Sequence, residues 1–232
     1  MPGTLISIPT HDGQQFQGYL ALPPTGSGRA LVLIQEIWGV NDHIRAVADA
    51  YALDGYVVLA PDVFWRQEPG VNLPYDEAGT KRAYHLMQNL DGPNAVKDLQ
   101  AAAQTLRQRP ETQGKVGVVG YCMGGRLAFE LAATGAVDTA VCYYGGRIQE
   151  RLAIAPSIQV PVLFHYAALD AHIPATAVDA VKNAFAGRSN AEFHVYEGAD
   201  HGFNCWGRPM YHQRSAALAK GRTLQWLATH LD

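Results

Sequence analysis

Residues 120–125 read Gly120-Tyr121-Cys122-Met123-Gly124-Gly125, a cysteine framed by glycines between an apolar run (116–119) and a segment of helical spacing (126–131). G-x-C-x-G between a strand and a helix is the pattern of a tight turn that holds its central side chain in the open. The glycines suit such a turn because a Cβ at either flank would meet the neighbouring strand or helix, while the central residue is held in a strained conformation. The turn also sets the sulfur at a helix N-terminus, where free N–H groups favour the thiolate, the nucleophilic form. The Met123 N–H would then face a developing oxyanion. A second donor is expected from the loop after an earlier strand, here Gln35-Glu36-Ile37-Trp38-Gly39, which makes the Ile37 N–H the candidate.

A nucleophile on such a turn needs an acid and a base, following it along the chain in that order. Asp170 lies in the loop 167–174, after the apolar run 160–165, and His201 lies in Gly198-Ala199-Asp200-His201-Gly202-Phe203, after the run 192–196. Singly, an Asp before a helix reads as an N-cap and a loop His as a solvated group. Their conjunction at the carboxyl ends of successive predicted strands, on the thiol's edge, reads as a triad of Cys122, Asp170 and His201. His172 is the nearest competitor, and His165, inside a predicted strand, reads as core. Cys142 and Cys205 read as buried small hydrophobes, since three widely spaced cysteines make neither a disulfide framework nor a zinc motif.

The elements that must position these groups are legible from periodicity. Residues 4–8 and 16–22 read as a hairpin turned at His11-Asp12-Gly13. Residues 29–35 and 56–61 read as strands covered on both faces, with a helix over 41–53 between them. Helices follow over 75–90 and 92–109, the second carrying Ala95, Val96, Leu99, Ala102, Ala103 and Leu106 on one face. Then come strand 115–119, helix 123–133, strands 137–143 and 160–165, helix 175–185, strand 192–196 and a final helix over 211–231. About eight strands alternating with helices predict one α/β domain over 1–232, its sheet mostly parallel and flanked by helices, with function in the loops at the carboxyl ends of the strands.

The chain has 232 residues, 48% hydrophobic and 17% charged, with a net charge of −3. That composition suits a folded core, and the scattered Lys and Arg offer no footprint for nucleic acid or an anionic membrane. The apolar runs are strand-sized, short of the roughly 20 residues of a membrane helix, and no secretory start is present, so a cytoplasmic address is expected.

Gln35-Glu36-Ile37-Trp38-Gly39-Val40-Asn41, the cysteine turn, Tyr143-Tyr144-Gly145, Asp170 and Asp200-His201-Gly202-Phe203 together resemble the dienelactone hydrolase (carboxymethylenebutenolidase) family, over nearly the whole chain. The resemblance implies the α/β-hydrolase fold and hydrolysis of small esters or lactones through a thioester, without cofactor or metal. It also implies a role for Glu36, which in the family keeps the resting thiol neutral and accepts its proton when substrate binds. This would spare the thiol from oxidation and let binding energy switch it on. The family's substrate-carboxylate arginines fall near Thr80-Lys81-Arg82 and a few residues past the histidine. Cys205 stands where the second is expected, so Lys81, Arg82 and Arg208 are either its substitutes or solvated surface charges. Tyr84, Tyr143 and Phe203 complete the substrate-binding candidates.

Thiolate is a good leaving group, so adducts with poorly departing groups revert; enol and aryl esters should react and amides should not. The rival readings are a binding protein on the same scaffold and a thiol redox sensor. Glu36, Asp170 and His201 speak against the first, and the lack of an adjacent resolving cysteine against the second.

Overall fold

The structure, a computed structural model, describes residues 2–232. Two strands open the chain, β1 (Thr4–Pro9) and β2 (Gln15–Ala21), antiparallel to each other. Gly13, at φ +82°, makes the bend between them, a conformation that favours glycine. The alternating unit follows: β3 (Gly28–Ile34), α1 (Asp42–Leu53), β4 (Val57–Pro61), α2 (Glu77–Gln88), α3 (Gly92–Gln108), β5 (Thr112–Tyr121), α4 (Met123–Ala132) and β6 (Thr139–Tyr143). The chain ends with β7 (Val162–Ala167), α5 (Ala175–Ala184), β8 (Ala191–Tyr196) and α6 (Gln213–Leu231).

The eight strands form one sheet in the order β1-β2-β4-β3-β5-β6-β7-β8, parallel from β4 onward to β8 and antiparallel where β2 meets β1 and β4. Every residue of β4 and β6 and all of 116–121 in β5 are buried, and 57–61 and 116–119 accordingly carry no polar side chain. α3 and α4 pack together, while α6 meets α1 through Lys220, which bonds Asp54 at 2.7 Å and lies over the Tyr51 ring. Three helix starts are capped as their residue types dictate: Asn41 accepts from the Ile44 N–H, Asp76 from Gly79 and Asp91 from Asn94.

Chain order reverses between β3 and β5: from β3 the path goes outward to β4 on one side, then crosses to β5 on the other. Loops leaving these two strands diverge and open a crevice at their carboxyl ends, the place where open α/β sheets bind ligands. Glu36 follows β3 and Cys122 follows β5, so the fold delivers both to that crevice.

Differences from the sequence reading are local. β5 starts at Thr112, three residues early, because 112–115 are polar and join the sheet through an irregular register with Gly28. β7 runs on through Tyr166 and Ala167. Two short 3-10 turns, Ile148–Glu150 and Leu152–Ser157, are too brief to show any period. Among the described residues no helix is long and apolar enough to cross a membrane.

Candidate active site

The turn after β5 is strained in the way its sequence requires. Cys122 sits at φ +56°, ψ −115°, a conformation that costs a non-glycine residue about 1–3 kcal/mol. Its neighbours hold it there: the Cys122 N–H donates to the Tyr143 carbonyl at 3.0 Å, and its own carbonyl accepts from Gly125 at 3.0 Å as α4 begins. A Cβ on Gly124 would collide with the carbonyl oxygens of Ile34 and Gln35, and one on Gly120 with the carbonyl of Gly124. The glycines therefore let the elbow approach the end of β3, bringing the Glu36 loop against it. The N–H groups of Ile37 and Met123, the expected oxyanion donors, have no acceptor among the described residues.

The thiol is partly exposed, and His201 Nε2 lies 3.0 Å from its sulfur. On the other side of the ring, Nδ1 meets Asp170 Oδ2 at 2.7 Å. The second oxygen of Asp170 accepts the backbone N–H groups of His172 (2.8 Å) and Ile173 (3.1 Å), so the carboxylate, 5% exposed, is fixed in orientation. Asp170 is thus not the cap of α5; that position is Pro174. Burial works against a charged His201, but the adjoining Cys122 sulfur and Asp170 carboxylate outweigh it and raise the imidazole to about 11. The arrangement favours a proton on the ring.

Glu36 is 2% exposed, and burial raises its carboxyl despite Arg208 beside it. Arg208 Nη1 is 3.4 Å from Oε1, and its guanidinium rests over the Trp38 ring and against Gly202, where any Cβ would push it away. Among the described residues no hydrogen bond joins Glu36 to Cys122; the sulfur faces His201 instead.

The substrate-binding candidates divide. Arg208 is drawn into the site. Lys81, Arg82 and Tyr84 are exposed on α2, and Arg82 pairs there with Glu68. Tyr143 is a correction: it is fully buried with its hydroxyl bonded to Thr223 at 2.7 Å, and a side chain so enclosed cannot touch substrate. Phe203 is likewise fully buried, packed against Tyr144 and Tyr196, and supports the histidine loop from behind. His165 is core, bonded to Thr223 and Tyr196, and Cys142 is buried with its thiol pushed up.

Tyr144 escaped the reading of single residues. Its φ of +35° turns the ring toward His201, 5.2 Å between centroids, and its buried hydroxyl has no partner among the described residues. Only its place in the Tyr143-Tyr144-Gly145 motif pointed to it. An apolar cleft of about 250 Å³, lined by Tyr51, Tyr121, Trp206 and Tyr211, does not include Cys122 among its lining residues.

Comparison with known proteins agrees with this fold. The model of the Dienelactone hydrolase family matches residues 16–231. The carboxymethylenebutenolidase of Pseudomonas putida is 39% identical over 224 residues, 96% of this chain and 95% of that protein. Carboxymethylenebutenolidase 1 of Cupriavidus pinatubonensis is 32% identical over 98% of this chain and 97% of its own length. A crystal structure from Klebsiella pneumoniae, provisionally called a dienelactone hydrolase, superposes with a TM-score of 0.87 at 29% identity, covering 97% of this chain and 98% of that one.

Proposed function

Because the chain belongs to the dienelactone hydrolase family, we propose that it opens small esters and lactones through a thioester on Cys122. The observation that carries this reading is the unbroken relay from Asp170 through His201 to the Cys122 sulfur, 2.7 Å and 3.0 Å long.

The proton that leaves the thiol goes to His201 Nε2, while the Nδ1 proton stays in its bond to Asp170. The thiolate attacks the acyl carbon, and the carbonyl oxygen, now negative, takes the free N–H groups of Ile37 and Met123. Collapse breaks the acyl–oxygen bond, and the imidazolium passes its proton to the departing oxygen. His201 next removes a proton from water, hydroxide adds to the thioester, and thiolate leaves with the carboxylic acid formed. In a lactone both products stay on one molecule.

Glu36 is assigned the role its family resemblance implies, a second acceptor for the thiol proton. The sulfur-to-imidazole contact supports His201 as the acceptor in the conformation described, so Glu36 acts when the sulfur turns toward the loop after β3. Arg208, beside Glu36 and partly accessible, is the cation positioned for an anionic group on the substrate.

Stopped-flow hydrolysis of an aryl ester tests the scheme. A burst of phenol equal to one equivalent of enzyme is expected, abolished by prior alkylation of Cys122 with iodoacetamide. Linear release with no burst, and activity untouched by that alkylation, would remove the thioester from the path.

A further inference from the structure

Next to the triad stands a polar cluster of which the proposed hydrolysis uses Glu36 alone. Glu36 comes from the loop after β3, His43 from the first turn of α1 and Cys205 from the loop after β8, yet a carboxylate oxygen, a ring nitrogen and the sulfur all lie within 4.8 Å of one another. All three are buried, at 2%, 8% and 0% exposure. Among the described residues Glu36 Oε2 and His43 Nδ1 have no hydrogen-bond partner, and the Tyr75 hydroxyl close by has none either. A buried polar atom left unpaired costs about 1–3 kcal/mol, and two such atoms on residues of one cluster ask for a partner.

We propose that Glu36, His43 and Cys205 bind a soft divalent cation of the zinc class, and that occupancy switches the hydrolase off. Thiolate, imidazole and carboxylate are the donors such an ion takes, in a tetrahedral site whose fourth position falls to water. Bonds of about 2.0–2.3 Å set the ligand atoms roughly 3.5 Å apart, so the cluster needs only modest contraction. The buried His43 Nδ1, with no hydrogen-bond partner among the described residues, is free to ligate.

Charge balance is met without electron transfer. The S–H bond of Cys205 breaks, the sulfur bonds the ion, and the proton passes to buffer. Arg208 takes only Oε1 of Glu36 and keeps 13% side-chain exposure, leaving Oε2 to the metal while the added positive charge is shared with solvent. Inhibition rests on the proposed role of Glu36: a carboxylate bound to metal accepts no proton from Cys122.

Calorimetric titration of the full chain with zinc chloride tests the site, with Co²⁺ as a probe of thiolate charge-transfer absorption. One equivalent is expected in the native protein and in Cys122→Ser, with a heat that changes with the ionisation enthalpy of the buffer as Cys205 gives up its proton. Cys205→Ser and His43→Phe should each bind at least about tenfold more weakly, each losing one of the three donors. The phenylalanine keeps a ring against Trp206, and circular dichroism verifies that each variant is folded. Loss of binding in Cys122→Ser, which would put the ion on the triad, or undiminished binding in both cluster variants overturns the proposal. Stoichiometric binding with full ester hydrolysis overturns the switch. The binding measurements do not depend on turnover, so failure of the hydrolase scheme and failure of the site are separable.

Discussion

Asp170→Asn is a near-isosteric change, and the geometry makes it more harmful than truncation. Oδ1 of Asp170 is pinned by two backbone N–H groups, at 2.8 and 3.1 Å, while Oδ2 takes the His201 Nδ1–H at 2.7 Å. An asparagine must keep its oxygen on those two donors and turn its NH₂ toward His201. Nδ1 then has to accept, Nε2 has to carry the proton, and the ring donates to the sulfur instead of receiving from it. Losing the charge-assisted bond costs about 1.5–3 kcal/mol, or about 10- to 150-fold in kcat/KM at 1.36 kcal/mol per decade. The inverted tautomer adds to that; in the well-known serine-protease case it brings the loss to about 10⁴. Asp170→Asn should therefore fall between about 10² and 10⁴ below the native enzyme and below Asp170→Ala, whose ring is free to choose its tautomer. Initial rates on an aryl ester, per folded molecule by circular dichroism, decide it. An Asn variant as active as the Ala variant refutes the argument.

The remaining predictions concern position and pH. Arg82→Ala, at an exposed pair with Glu68, should change stability by less than about 1 kcal/mol and leave KM alone, whereas Arg208→Ala should raise KM for an anionic ester relative to a neutral one; equal effects on both esters would deny Arg208 its role. Gly124→Ala should cost about 1–3 kcal/mol or more in urea unfolding, because its Cβ meets backbone carbonyls that cannot yield. His201, raised from 6.5 to about 11, contributes stability that is complete below pH 6.5 and fades as pH rises through 11, so the Tm gap between native protein and His201→Gln should narrow over that window and not widen. His43 has the opposite sign: held at about 4, it costs stability as pH falls from 6.5, and His43→Phe should flatten that limb of the Tm profile.

Much of the fold and site was legible because the signals were local or periodic. The stretches 30–34, 57–61 and 116–119 are apolar without break because strands covered on both faces need no polar side, and the structure pairs them as the centre of the sheet. Gly120, Gly124 and Gly125 marked the elbow through sterics alone. What sequence could not show was direction in space. Arg208 and Arg82 are alike on paper, and only the path past Gly202 carries the first inward while Glu68 holds the second outside. Tyr143 and Tyr144 are adjacent in a strand and its following loop; one points into the core and the other, at φ +35°, toward His201. The meeting of Glu36, His43 and Cys205 joins three distant segments, beyond any spacing rule.

The central claim is that the acyl group rides on the Cys122 sulfur. Intact-mass spectrometry of enzyme quenched in acid during turnover of an aryl ester reads this directly, with peptide mapping to locate the added acyl mass. One acyl group on Cys122, labile to hydroxylamine and absent in Cys122→Ala, is the predicted result. An acyl group carried elsewhere, or full turnover by Cys122→Ala, would contradict it.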